Sequence, residues 1–156
     1  MGKYPVVVAV AFAAVLAGCG ESTSSSSPAA KEFPTASGDT LPWDSLRGRW
    51  VLVNYWAEWC KPCLEEIPEL NEVDSLENVT VLGVNYDGVA GEALVELGDR
   101  MGIGFTMLAN DPAPELGWEV PGGLPATFVV APDGSLSDTL MGAQTEADLK
   151  AAIGQD

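Results

Sequence analysis

Cys60 and Cys63 stand three residues apart in the stretch LVNYWAEWCKPCLEEIPEL, residues 52–70. A pair at this spacing can close a small disulfide ring. The first thiol, on an exposed tip, attacks a disulfide in another molecule, and the second resolves the mixed intermediate. The apolar run before the pair and the glutamate-rich run after it place Cys60 just past a strand and Cys63 in the first turn of a helix. A helix N-terminus carries positive partial charge and unpaired N–H groups, so it favours a thiolate. Lys61 adds a full positive charge beside it, and Glu58 opposes that effect. Pro62 suits a first helical turn, where its missing donor is not needed, and it stiffens the dithiol. Trp59 reads as a lid over the pair or as an aromatic surface for partners.

Two blander readings of the pair compete. Half of a zinc site would need a second C-x-x-C or histidines, and the chain has no histidine and one further cysteine, Cys19. A purely structural bridge would close so short a loop that it constrains the unfolded chain little. The lack of histidine also removes the commonest acid–base group. Any chemistry falls to Cys, carboxylates, Lys or Tyr, with no metal and no cofactor implied. Glu66 follows Cys63 by three residues, one helical turn, and so shares its face. The alternative for Glu66 is a solvated helix glutamate, as expected of Glu65 and Glu69.

The elements that must hold these groups follow from the hydrophobic pattern. Trp50 to Trp56 is an almost continuous apolar run, the mark of a strand buried on both faces. Pro62 to about Leu76 reads as a helix, in which Pro68 should introduce a kink by crowding the carbonyl of Leu64. Val79 to Asp87 is a second buried strand, Gly91 to Met101 a second helix and Phe105 to Ala109 a third strand. The run ATFVVAPDGSLSDTLMG reads as two strands joined by a hairpin turn at Pro132 to Ser135. Thr145 to Ile153 closes the chain as a helix, with Thr145 and Asp148 spaced as a capping box. Before all of these, the turn-rich segment from Phe33 reads as a small N-terminal hairpin. Strands alternating with helices imply an α/β class with a central sheet flanked by helices. Trp43, Trp50 and Trp118 read as packing residues.

The front of the chain has a different character. Residues 1–18 carry one positive charge, Lys3, then an apolar stretch from Val6 to Leu16 and small residues, the plan of an export signal. The stretch is short for a membrane span, which needs about 20 residues; an uncleaved single-span anchor is the alternative. Leu16 to Cys19, LAGC, resembles the lipobox of bacterial lipoproteins, in which cleavage precedes the cysteine and its sulfur receives diacylglycerol. Lipidation would make Cys19 the mature N-terminus and remove the one odd thiol among three cysteines. Residues 19–32 then form a lipidated, serine-rich tether spanning roughly 20 Å. Residues 33–156 form a single folded domain.

VLVNYWAEWCKPC resembles the active-site strand and loop of thioredoxins, and residues 33–154 resemble the TlpA/ResA family of exported, membrane-tethered thioredoxin-like proteins. The resemblance implies a thioredoxin-like fold with an N-terminal β-hairpin and a central helix–strand insert near Gly91 to Ala109. It implies a cis proline before the strand that faces the dithiol, and Pro125 in GLPATFVV holds that place; from spacing alone an ordinary trans loop proline is equally open. Leu124 would then offer its backbone to an extended substrate segment. Cys60 to Pro68, CxxCxxExP, is similar to the family signature. There the glutamate is buried near the dithiol with a raised pKa and takes the proton from the second cysteine, here Cys63. Thioredoxins usually hold a buried aspartate where this chain has Asn54, which cannot titrate; Asn54 otherwise simply hydrogen-bonds within the sheet.

These readings converge on an enzyme, a protein thiol–disulfide oxidoreductase of the cell envelope, with Cys60 as nucleophile, Cys63 as resolving thiol and Glu66 as proton acceptor. Trp59, Lys61, Pro62, Leu124 and Pro125 would meet the substrate. The expected partners are disulfide-bearing exported proteins, a membrane thiol–disulfide electron donor and the membrane itself, through lipid on Cys19. Reduction is the expected direction, and apocytochrome c is one substrate class of the family. A disulfide-forming oxidase with the same site and a non-catalytic binding module are the alternatives. Gly20 after Cys19 favours an outer over an inner membrane. With 23 acidic residues against 7 basic and a net charge of −16, the chain repels phosphate backbones, so nucleic acid is not a partner. The acidic surface favours a monomer.

Overall fold

The computed structural model describes residues 1–2 and 30–155. The export signal, Cys19 and most of the tether lie outside the described residues. Glu32–Pro34 (β1) and Thr40–Pro42 (β2) form the expected antiparallel hairpin. The ordered chain starts slightly before Phe33, since the Lys31 carbonyl accepts from Trp43 N at 2.8 Å. A one-turn 3-10 helix, Trp43–Leu46, follows.

Trp50–Trp56 (β3) is the middle strand of five. It pairs in parallel with Val79–Asn85 (β4) and antiparallel with Ala126–Val130 (β6). Thr106–Leu108 (β5) lies parallel outside β4, and Leu136–Met141 (β7) lies antiparallel outside β6, giving the order β5-β4-β3-β6-β7. Neighbours on both edges and layers on both faces explain why β3 reads as unbroken apolar sequence. The hairpin continues onto the β5 edge, with Ala36 N donating to the Met107 carbonyl and Ala109 N to the Pro34 carbonyl, each at 2.8 Å. An edge covered in this way is not available to another chain.

Lys61–Asp74 (α1), Glu92–Met101 (α2), Ala113–Leu116 (α3) and Glu146–Ala152 (α4) are the helices. On one face of the sheet, Leu70 and Val73 of α1 and Leu149 of α4 pack on Leu52, Val81 and Val129. On the other, Val53, Tyr55, Leu82 and Phe128 lie under Phe33 of the hairpin, Trp43, Leu116 of α3 and Trp118. Trp43 meets Phe33 and Trp118 edge to face, and Trp118 meets Phe128 likewise, so these tryptophans are packing residues, as expected. The expected kink is a smaller matter: α1 runs through Pro68 without interruption. Pro68 lies on the exposed side of the helix, where water can take the Leu64 carbonyl that it leaves unpaired. The sheet, the hairpin and the α2–β5 insert reproduce the α/β architecture read from the pattern. The 3-10 turn and α3 were not legible there, because four residues complete scarcely one turn and carry no periodicity.

Candidate active site around a buried disulfide

β3 ends at Trp56, and the chain passes through Ala57, Glu58 and Trp59 into the N-terminus of α1. Cys60 is the N-cap of that helix. Its Sγ accepts from Cys63 N at 3.3 Å, and Pro62 occupies the first turn, where no donor is lost. Cys60 and Cys63 are joined as a disulfide with Cα atoms 5.3 Å apart. The pair packs with Trp56, Ala57, Leu94 and Leu97, and Leu124 lies against the same cluster.

Cys60 was expected on an exposed tip, yet only 4% of it is accessible and none of Cys63 is. As N-cap, Cys60 holds its sulfur toward the Cys63 amide, and the residue is nearly covered in the closed disulfide. Lys61 was expected to bring its charge to the dithiol. Its side chain instead reaches into solvent and lies 3.6 Å from Glu65. Glu58 lies 3.5 Å from Arg100 of α2 and is likewise engaged. The helix N-terminus meets the pair directly, through the Cys63 N–H. Trp59 is exposed, and its Nε1 donates to Asp87 at 2.9 Å.

Glu66 is 1% exposed, in contrast to the exposed Glu65. Asn54 Nδ2 donates to Glu66 Oε1 at 2.7 Å, and Gln144 N donates to Oε2 at 2.9 Å. Burial pushes the Glu66 pKa above the usual carboxylate range, and the bonds from Gln144 and Asn54 pull partly against it. Asn54 Nδ2 also donates to Thr127 Oγ1 at 3.0 Å. The bond to Thr127 is the expected one within the sheet, and the bond to Glu66 extends it into a buried polar chain linking β3, β6 and α1. Asp87, Thr127 and Gln144 were not singled out in the sequence either. They are ordinary polar residues in loops or strands, and nothing local marks them.

The Leu124–Pro125 peptide is cis. The Pro125 carbonyl is taken by Gly142 N at 2.9 Å, whereas neither the N–H nor the carbonyl of Leu124 has a backbone partner among the described residues. On the opposite face of the sheet Tyr55 Oη donates to Asp111 Oδ1 at 2.6 Å, and burial first, then Asp111, raises the phenol pKa. No group of three or more potential metal ligands occurs among the described residues.

Comparison with known proteins gives the same outline. The AhpC/TSA family profile matches residues 27–139. Thiol-disulfide oxidoreductase ResA of Geobacillus thermodenitrificans is 31% identical over 107 residues, which cover 67% of this chain and 61% of that protein. Thiol:disulfide interchange protein DsbE of Allochromatium vinosum is 37% identical over 105 residues, 66% of this chain and 57% of that one. The chain therefore spans about three fifths of the length of these relatives. A thiol:disulfide interchange protein of the thioredoxin family from Chlorobium tepidum superimposes with a TM-score of 0.68 at 23% identity, over 80% of this chain and 91% of its own. That likeness establishes the thioredoxin-like fold. The resemblance to TlpA/ResA proteins carried by the motifs is matched by the ResA relative.

Proposed function

The chain belongs to the AhpC/TSA family, and on that premise we propose that it is a thiol–disulfide oxidoreductase of the cell envelope that reduces disulfides in exported proteins. The observation that carries the reading is the Cys60–Cys63 disulfide at the N-terminus of α1, packed against Leu124, whose backbone is unpaired. The names of the relatives, thiol-disulfide oxidoreductase and thiol:disulfide interchange protein, support the same chemistry.

In the reduced protein the Cys60 thiolate attacks one sulfur of the partner's disulfide. A Cys60–partner bond forms, the partner's S–S bond breaks, and its other sulfur leaves as a thiolate. Glu66 takes the proton of the Cys63 thiol. The Cys63 thiolate then attacks Cys60 Sγ, closing the ring and releasing the partner's first sulfur, so two electrons pass to the partner. A carboxylate whose pKa is raised by burial is a better base for a thiol than a solvated one. Trp59, Lys61 and Pro62 frame the approach. Leu124, whose backbone is unpaired among the described residues, pairs with the extended backbone of the substrate.

The same reading places residues 1–18 as a cleaved signal, Cys19 as the lipid anchor, residues 19–32 as tether and residues 33–156 as a monomeric domain at the envelope. The outer membrane is favoured where there is one. A membrane thiol–disulfide donor would recharge the dithiol, and apocytochrome c is one substrate class that fits the resemblance. The test is the equilibrium reduction potential of the pair in glutathione and dithiothreitol buffers. A value near the thioredoxin end, about −270 mV, supports a reductant. A value near −120 mV makes the protein an oxidase, and inertness toward dithiols makes it a binding module.

A further inference from the structure

We propose that Asn54 is a positioning residue that serves Glu66 in both protonation states, donating from Nδ2 to the carboxylate and accepting through Oδ1 once the carboxyl is protonated. The proposal deepens the reading of Glu66 as proton acceptor and rests on it for its catalytic meaning. Its geometry stands alone.

Asn54 and Thr127 are each 1% exposed, as is Glu66. Glu66 accepts at both oxygens, from Asn54 Nδ2 at 2.7 Å and from Gln144 N at 2.9 Å, which is the pattern of an ionised carboxylate. When the proton arrives, the carboxyl gains an O–H that needs an acceptor, because a buried donor left unpaired is costly. Oε2 faces a backbone N–H, so the proton belongs on Oε1, on the side of Asn54. The Asn54 side chain carries the missing acceptor: its Oδ1 is fully buried and has no partner.

Rotating the amide by about half a turn about its terminal torsion, a roughly two-fold one, exchanges Nδ2 and Oδ1. Oδ1 then accepts from the Glu66 O–H. The Thr127 hydroxyl, which now accepts from Nδ2 at 3.0 Å, can turn to donate to Oδ1. Two hydrogen bonds reach the amide before and after, so Glu66 keeps a partner in either protonation state, while the rotated Nδ2 turns toward the space where Oδ1 now has no partner and so holds back the protonated form. Aspartate at 54 would supply acceptors alone and a second buried charge. Leucine would supply nothing to either state.

Among the described residues, Glu66 makes no side-chain hydrogen bond other than those to Asn54 and Gln144. Cys63 is held in the disulfide, and the titratable groups beside these partners include Glu69 on α1 and Glu146, Asp148 and Lys150 on α4. Glu69 Oε2 is taken by Glu146 N, Lys150 pairs with Glu146, and Asp148 caps Thr145. β3 and β6 present Asn54 and Thr127, which do not titrate in this range.

The experiment is a pH titration of the oxidised protein by NMR, following the Glu66 side-chain carbon and the Asn54 side-chain NH2 together. The two should move with one midpoint. Thr127→Val should displace that midpoint upward, because the ionised state then leaves an Nδ2 hydrogen without its acceptor whereas in the protonated state Oδ1 still accepts from Glu66, and Thr127→Ser should restore it, a distinction that loss of packing alone does not produce. Asn54→Leu should raise the midpoint further and slow resolution of a Cys60 mixed disulfide about tenfold at pH 7, the rate equivalent of one lost hydrogen bond to a charged group. Should Asn54→Leu fail to fold, the two Thr127 variants and the wild-type titration carry the test. Asn54 NH2 resonances that stay constant through the Glu66 midpoint would overturn the proposal. So would Thr127→Val with the wild-type midpoint. If the two groups titrate together but Glu66→Gln resolves the mixed disulfide at the wild-type rate, positioning stands and the proton-acceptor role of Glu66 fails.

Discussion

The indole nitrogen of Trp59 donates to Asp87 Oδ2 at 2.9 Å, which ties the residue beside Cys60 to the loop that follows β4. Trp59 is 66% exposed, so the ring is held at one end and open to solvent over most of its surface. An aromatic plate fixed in this way costs less entropy to use as a contact than a free one.

Asp87→Ala therefore releases the ring without disturbing the core. The expected outcome is a fall of severalfold in the rate at which the reduced protein attacks a disulfide-bearing peptide, with a stability change of about 1 kcal/mol or less, as for an exposed hydrogen bond. Stopped-flow Trp fluorescence and a denaturation curve measure the two quantities. An unchanged rate would make the clasp a surface detail.

The order of attack is tested by single thiols. Cys63→Ser should accumulate a mixed disulfide between Cys60 and a disulfide-bearing partner, visible by mass spectrometry and reversed by dithiothreitol. Cys60→Ser should accumulate little, because Cys63 is fully buried. Equal trapping by both variants would remove the assignment of Cys60 as nucleophile.

Stability should respond to Glu66 with a definite sign. Burial raises its pKa in the folded state above the ordinary carboxylate value of 4.5. The folded chain then binds more protons than the unfolded chain over the interval above that value, so the contribution of Glu66 to stability falls as pH rises through it. Wild type should accordingly lose stability relative to Glu66→Gln between about pH 4.5 and the folded midpoint, and the difference should level off above it. Urea midpoints of the two proteins across this range decide the matter; a difference that grows in favour of wild type would contradict the burial.

Gly83 of β4 is held to glycine by its neighbours. A Cβ there would lie 3.0 Å from Phe105 Cε2 and 3.2 Å from Trp56 Nε1. Both rings are buried and Trp56 packs on the dithiol cluster, so neither can give way freely. Gly83→Ala should cost about 1–3 kcal/mol by overpacking and should also alter the potential of the pair through Trp56. Thermal denaturation and the redox titration report these separately.

The order and kind of the main elements could be read from the residues alone, because their signals are local. A seven-residue run that is apolar except at Asn54 made β3, and the Thr145–Asp148 spacing made the cap of α4, where both reciprocal bonds are present. The placement of Cys60 and Cys63 at a helix start was equally local, being set by the strand before them and Pro62 between. The depth of the site was decided only by tertiary structure. Glu66 looks like Glu65 and Glu69 in the sequence, and it is buried because its phase on α1 turns it toward Asn54, twelve residues earlier, and Gln144, seventy-eight residues later. Those partners meet only once β6 pairs beside β3 and the chain returns through β7 to α4. For the same reason the partners of Lys61 and Glu58 could not be read from adjacency to the cysteines: Lys61 lies 3.6 Å from Glu65, and Glu58 3.5 Å from Arg100 of α2. A local pattern chooses which bonds a backbone makes, whereas the dielectric and partners around a side chain come from whatever distant segment the sheet order sets against it.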